Sequence, residues 1–256
     1  MNKIIHHQND FEGMRKAGHL AAATLDMLID VVKPGVKTEE IDYKAFEFIN
    51  KNGGLIGPLF YKGFPKSVCT SINHVVCHGI PSSKMLESGD IVNIDVTVIL
   101  DGWHGDTSRM FPVGKINPKS QRLIDCTFEA MHKGIEKISP KAKLGDLGHA
   151  IQTYAESHNY SVVRDFCGHG LGKVFHDYPN ILHYGKKGEG ETIEEGMFFT
   201  VEPMINIGKY DVKMKPDGWT AVTKDLSLSA QFEHSIGVDK EGCEIFTKSP
   251  AGLDKP

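Results

Sequence analysis

Apolar positions near the start of the chain recur with the 3.6-residue period of a helix that buries one face. Ala17, Ala21, Leu25, Leu28 and Val32 form the first stripe. It predicts a helix from a cap at Asn9-Asp10 to about Val32, closed by Pro34-Gly35. Thr38 is expected to cap a second helix. Glu39 and Glu40 suit the positive end of its dipole, and Ile41, Ala45, Phe48 and Ile49 form its buried face before Gly53-Gly54 stop it. Short strands are expected around Ser67 to Ile72 and Val75 to His78. From Ile91 the period falls to two. The runs Ile91 to Leu100 and Trp103 to Phe111 are joined by Asp101-Gly102, a pair that tolerates the positive φ of a type I′ hairpin turn. In that register Leu100 faces Trp103 and Thr97 faces Asp106. Side chains alternate along a strand, so Asp95 shares a face with Thr97 and lies diagonal to Asp106. A loop at Leu100-Asp101 would set the two carboxylates directly opposite, still on one face.

Past Phe111 the pattern starts again. Ser120 is expected to cap a helix with Leu123, Ile124, Phe128, Met131 and Ile135 inward, ended by Ser139-Pro140. A further helix carries Leu147, Ile151 and Tyr154 up to Asn159. The stretch Val32 to Ile41 lies over Ile138 to Leu147 at an offset of 106 positions, and Leu86 to Gly89 over Ile193 to Gly196 at an offset of 107. At the second offset the strand holding Asp95 matches Met197 to Glu202. His78-Gly79-Ile80 finds a counterpart in His169-Gly170-Leu171. Matches that recur in one order point to an internal duplication of helix, helix and strands. The expectation is an α+β protein of two pseudo-symmetric halves, roughly 9–115 and 116–246, with helices packed on antiparallel sheet in a single domain, 1–256. A site between the halves would collect acidic strands from both.

Composition narrows the field without choosing. The 256 residues can bury a large core, and 24% charged with 40% hydrophobic is ordinary for a globular protein. A net charge of −4 argues against a dedicated nucleic-acid binder, and the apolar runs fall short of a membrane span. The start, Met1-Asn2-Lys3-Ile4-Ile5-His6-His7, lacks a signal-peptide apolar core. Cys69, Cys77, Cys126, Cys167 and Cys243 are odd in number and show no Cys-x-x-Cys spacing. These features lead us to expect a reduced, cytoplasmic protein without structural disulfides, with His6 and His7 solvated; a monomer is the default expectation.

The carboxylates change the picture. Two buried acids on one face of apolar strands repel and raise each other's pKa unless a cation sits between them. A lone Asp there is ordinarily a solvent-facing or turn residue, whereas the pair points to a hard-cation site. The second half adds to it. Glu202 ends an apolar strand, and Pro203 cannot donate to a ladder, so an edge or bulge is expected there. Gln231, Glu233 and Ser235 alternate onto one face of a strand running to Val238. The stretch Phe166 to His176 is glycine-rich with two histidines, but its spacing is not that of a Walker phosphate loop. Asp95, Asp106, Glu202 and Glu233, with one glycine-flanked imidazole, His169, can be neutralised by two divalent cations, a pair able to acidify a bridging water.

With these residues assembled, the chain resembles the type I methionine aminopeptidases in their short, bacterial-like form. The resemblance runs from about Asp10 to about Phe246. It is carried by Pro65-Lys66-Ser67-Val68-Cys69, Val76-Cys77-His78-Gly79-Ile80-Pro81, the Asp95 to Asp106 hairpin, Gly168-His169-Gly170-Leu171-Gly172, Val201-Glu202-Pro203-Met204 and Gln231-Phe232-Glu233-His234. It implies the pita-bread fold and removal of methionine from the N-termini of nascent polypeptides, at the ribosome, with a small second residue preferred. It further implies two divalent ions (Co, Mn, Fe or Zn). Asp95 would chelate one ion, Asp106 and Glu233 would bridge both, and His169 with Glu202 would complete the second. Glu202 would also shuttle the proton of the attacking water. His78 and His176 would be catalytic contacts to the substrate amide, and Tyr61, Phe64, Cys69, Phe175 and Trp219 would wall the methionine slot. Pro58 stands where many relatives have cysteine, and Phe64 where tyrosine is common, so the slot's shape is expected to differ in detail. The lack of a zinc-binding N-terminal extension argues against the longer eukaryotic type I form. The short spacing from Glu202 to Glu233 leaves no room for the type II insertion. The rivals are a proline-specific peptidase of the same fold, a non-catalytic pita-bread binding module and, more distantly, a phosphate-binding protein.

Overall fold

A computed structural model of the chain describes residues 4–255. Met1 to Lys3, part of the N-terminal stretch considered above, and Pro256 lie outside the described residues. Helix α1 (Asp10–Leu28) and helix α2 (Thr38–Lys51) come first. They are followed by β1 (Leu55–Ile56), β2 (Cys69–Ile72), β3 (Val75–Cys77) and the long hairpin β4 (Ile91–Leu100) and β5 (Trp103–Pro112). Helices α3 (Pro118–Ile135) and α4 (Leu144–Ser157) open the second part. Short strands complete it: β6 (Ser161–Val162), β7 (Gly168–Gly170), β8 (Asp177–Ile181), β9 (Phe198–Val201) and β10 (Met204–Asn206), then β11 (Val212–Met214), β12 (Ala221–Thr223), β13 (Ser229–Gln231), β14 (His234–Val238) and β15 (Cys243–Ile245).

The hairpin has the register that its turn dictates. Asp101 and Gly102 take φ 50° and 81°, Leu100 pairs with Trp103, and Thr97 with Asp106. On β4 the even positions Val92, Ile94, Val96 and Val98 turn toward α1 and α2 and join Leu25, Leu28, Ile41, Ala45 and Ile49 in one apolar core. The odd positions Asn93, Asp95 and Thr97 face the other way. Helix α1 lies so close to β5 that a Cβ at Gly105 would collide with the main chain of Ala17. A second core gathers Leu123, Ile124 and Met131 of α3 and Leu147 and Ile151 of α4 over Phe199, Ile205 and Ile236. Both parts of the chain thus set two helices on an antiparallel layer. They also share a detail: Lys37 before α2 bridges to Met85, and Lys143 before α4 bridges to Thr192. Polar contacts seal the layers together. Glu233 N–H donates to Ser108 O at 3.0 Å, and Thr107 Oγ1 donates to Glu233 O at 2.7 Å.

Several elements depart from the sequence expectations. Helix α1 stops at Leu28 rather than near Val32. Its last turn loosens into three-residue bonds (Ile29 N–H to Asp26 O, Val31 N–H to Leu28 O), because β-branched residues accumulate there and Pro34 disfavours a helical Lys33. Asn9 does not cap; its φ and ψ are already helical, and the Asp10 carboxylate instead accepts from His7 N–H at 2.9 Å. Thr38 is the first helical residue and exchanges hydrogen bonds with Ser82, while Glu40 accepts from Lys37 N–H at 3.0 Å. Asn117, not Ser120, caps α3: its Oδ1 accepts from Lys119 and Ser120 N–H at 2.9 Å, and Pro118 fills the first helical position, where no N–H is needed. The alternating run through Glu233 is two strands, β13 and β14, broken at Phe232-Glu233. His6 is packed rather than solvated. Its ring stacks on Phe198 at 4.1 Å, and its N–H donates to Gly196 O.

One buried ion pair ties α1 to the hairpin. Arg109 donates to Asp26 at 2.7 Å, and Ser249 Oγ completes the carboxylate's shell at 2.8 Å. Asp26→Ala leaves the guanidinium buried without its anion, so urea unfolding should show a loss of about 3–5 kcal/mol. A loss below about 1 kcal/mol would refute the pair's structural role.

Candidate functional site

The polar face of the hairpin supplies the first carboxylates. Asp95 pairs across the ladder with Ser108 and, on its other side, with Cys69 of β2. Asp106 stands opposite Thr97, whose hydroxyl donates to its Oδ1 at 2.8 Å. The five-stranded sheet, ordered β15-β14-β9-β7-β8, brings the rest. His169 is central in β7. Glu202 sits in the gap between β9 and β10, which belong to different sheets, as the missing N–H of Pro203 requires. Glu233 occupies the break between β13 and β14.

Asp106, His169 and Glu233 each offer one donor atom, and these atoms lie within 4.8 Å of one another. His169 Nε2 is 3.6 Å from Asp106 Oδ2 and 3.6 Å from Glu202 Oε1. Its Nδ1 lies 3.0 Å from Gly170 O and so carries the ring proton of the neutral imidazole. Nε2 is then a lone pair aimed at two carboxyl groups. Asp106, Glu202 and Glu233 are buried, and among the described residues no Lys or Arg pairs with them or with Asp95. Buried negative charge facing an imidazole lone pair calls for a cation, and carboxylate oxygens with one imidazole nitrogen suit a divalent metal. The residues present therefore fit a metal ion, although Asp95 and Glu202 lie outside the tightest trio.

The titration behaviour has the same origin. Burial raises Asp95 from 3.8 to about 7, tempered by the Cys69 thiol. Burial and then the Asp95 charge hold Asp106 well above the usual carboxylate range. Burial and then Asp106 do the same to Glu202 and Glu233. Burial lowers His169 to about 4, so its ring is neutral, as a ligand must be.

Beside the carboxylates opens a cavity of about 310 Å³. Every site residue named from sequence lines it: Asp95, Asp106, His169, Glu202, Glu233, His78, His176, Tyr61, Phe64, Cys69, Phe175 and Trp219. Its apolar end is built by rings in contact, Tyr61 on Phe175 at 4.7 Å and Phe64 on Trp219 at 5.2 Å. The His176 ring lies 4.2 Å from that of His169. His78 enters from a left-handed main-chain conformation, φ 55°, and the following Gly79 passes against Thr70, where a side chain would not fit. Burial lowers the pKa of His78, and burial followed by His169 lowers that of His176. Pro58 is in the wall, as its place in the sequence suggested. No site role was read from sequence for Lys62, Thr97, Asp165, Phe166, Cys167 or Met204, which also line the cavity. Cys167 and Met204 each stand two residues from a named ligand candidate, which was the available signal. Lys62 and Asp165 gave none.

The family model for metallopeptidase family M24 matches residues 12–240. A methionine aminopeptidase of Rickettsia prowazekii (strain Madrid E) is 64% identical over 253 residues, 98% of this chain and 98% of its own. A crystal structure of methionine aminopeptidase from Rickettsia prowazekii matches with a TM-score of 0.95 at 63% identity, covering 96% of this chain and 100% of that one. A prolidase from Pyrococcus furiosus matches with a TM-score of 0.77 over 96% of this chain and 66% of its own; at 21% identity this likeness concerns the fold alone.

Proposed function

The chain belongs to metallopeptidase family M24, among its methionine aminopeptidases in the pita-bread α+β fold, and on that premise we propose how its cavity removes an N-terminal methionine. The observation that carries the proposal is the convergence of five metal-type donors and an aromatic slot in one cavity. Asp95, Asp106, His169, Glu202 and Glu233 would hold two divalent ions, with Asp106, His169 and Glu233 supplying the tightest set of donor atoms. When bound, such ions supply the positive charge that acidifies a water and polarises the scissile carbonyl. The chain's own residues do the rest. Glu202 accepts the proton of the attacking water on its carboxylate and delivers it to the leaving nitrogen. His78 and His176, kept neutral by their lowered pKa values, each offer one ring N–H to the substrate amide as charge builds on its oxygen. The free α-amine of the first residue lies at the anionic end of the cavity. An internal peptide bond has no such amine to place there, which makes the activity an exopeptidase.

Specificity follows from the two ends of the cavity. The methionine side chain fills the slot of Tyr61, Phe64, Cys69, Phe175 and Trp219, where a flexible thioether packs well on rings and sulfur. Losing that burial costs about 1–3 kcal/mol. The second side chain points to the rim at His78 and His176, and a bulky one shifts the scissile carbonyl. A displacement of about 1 Å costs roughly 10²-fold. The test is a series of peptides varied at the first and second positions. Met-Ala, Met-Gly and Met-Ser peptides should be cleaved faster than Met-Leu, Met-Lys and Met-Glu, and Met should beat Ala or Lys in first place. Equal rates across the second position would refute the rim argument, and indifference at the first would refute the slot.

Among the described residues no helix is long and apolar enough to cross a membrane. We further propose a cytoplasmic monomer that acts on nascent chains at the ribosome. Residues 1–256 would form one catalytic domain of two duplicated halves, with Asp95 and Asp106 from the first and His169, Glu202 and Glu233 from the second.

A further inference from the structure

Glu202 stands in a break between two strands. β9 ends at Val201, β10 starts at Met204 in another sheet, and Pro203 has no N–H. The Glu202 N–H has no carbonyl to donate to. It donates instead to Nε2 of His183, at 3.0 Å. His183 lies two residues beyond β8, is only 1% exposed, and has no part in the chemistry above. The Glu202 side chain is held separately. Thr200 Oγ1 donates to Glu202 Oε1 at 2.8 Å and accepts from His169 N–H at 3.0 Å. One fully buried hydroxyl thus ties the main chain of one ligand candidate to the carboxylate of another. Gln231 Nε2 lies farther off, 3.4 Å from Oε2. Neither Thr200 nor His183 lines the cavity, so neither touches substrate.

We propose that Thr200 and His183 are positioning residues that together fix Glu202, and through it the Glu202–His169 pair, in the geometry that takes a divalent metal. Thr200 sets the carboxylate oxygen, and His183 replaces the missing ladder partner of the main chain. The inference rests on Glu202 and His169 being metal ligands. Groups that orient ligands in this way typically contribute 10–100-fold to metal affinity.

The test is titration of the metal-free protein with Mn²⁺, following heat of binding, on Thr200→Val, Thr200→Ser, His183→Leu, His183→Gln and Glu202→Ala. Thr200→Val keeps the shape and removes the hydroxyl; it should weaken binding by about 10–100-fold while Thr200→Ser restores it. Gln can present an oxygen near the place of Nε2, so His183→Gln should bind close to wild type. His183→Leu should bind weakly or fail to fold, which its circular dichroism will distinguish. Wild-type affinity in Thr200→Val, alongside weakened binding in Glu202→Ala, overturns the Thr200 role. A folded His183→Gln as weak as Glu202→Ala, or a folded His183→Leu with wild-type affinity, overturns the His183 role. Undiminished binding in Glu202→Ala overturns instead the ligand assignment on which the inference rests.

Discussion

Asp106→Asn is expected to abolish turnover more completely than loss of a single transition-state donor, which costs roughly 10²–10³-fold. The residue is fixed by three hydrogen bonds with two hydroxyls. Thr97 donates to its Oδ1 at 2.8 Å, its N–H donates to Ser235 Oγ at 3.1 Å, and its carbonyl accepts from the same hydroxyl at 2.6 Å. Asn therefore keeps the shape and removes the charge at the centre of the trio with His169 and Glu233. Chelation of the wild type should abolish activity equally, and an added divalent ion should restore it in the wild type but not in the variant. Stability should move the other way. In the metal-free protein Asp95 titrates near 7, and Asp106, Glu202 and Glu233 are likewise raised by burial and mutual repulsion. A carboxyl group raised in the folded state contributes stability that is complete below its unfolded pKa and is lost as pH climbs through the folded value. The metal-free wild type should thus lose thermal stability between about pH 4 and pH 7 and beyond, and Asp106→Asn should flatten that decline. Full activity in chelated, metal-free enzyme would sink the metal site itself.

What the sequence made legible was whatever local stereochemistry controls. The Asp101-Gly102 turn sets the register of β4 on β5, and alternation then decides that Asp95, Thr97 and Asp106 share a face. The proline after Glu202 announced the break that leaves that carboxylate between two sheets. Legibility failed where a partner is distant in sequence. His6 read as a solvated terminal residue because Phe198, on which it stacks, lies in the other half of the chain. The Arg109–Asp26 pair and the His183 contact to Glu202 are invisible for the same reason: nothing in the periodicity of one element names the element packed against it. The cap at Asn117 is a different failure. It is local, and Pro118 at the first helical position was a sufficient signal for it.

His78→Ala and His176→Ala should each lower kcat by about 10²–10⁴-fold while leaving metal content unchanged. Both imidazoles border the cavity outside the trio of donor atoms. The His78 ring is set edge-on to Phe166 at 5.5 Å and to Trp219 at 6.3 Å, held between them at the cavity wall. The His176 ring stacks on Tyr61 at 5.0 Å, so it stands where the proposed methionine slot meets the metal-type donors. Under the proposed mechanism a group in that position would act on the bond being broken rather than on the side chain being recognised. The loss should therefore appear in kcat, with KM for a Met-Ala peptide changed much less. Truncation of Tyr61 should give the opposite pattern, because it removes part of the slot and leaves both imidazoles in place. Metal analysis with circular dichroism separates the alternatives. A folded His78→Ala or His176→Ala that has lost its metal would make that histidine a ligand, and a variant within about tenfold of wild-type kcat would remove it from the chemistry, given that a positioned proton donor contributes 10²–10⁴-fold.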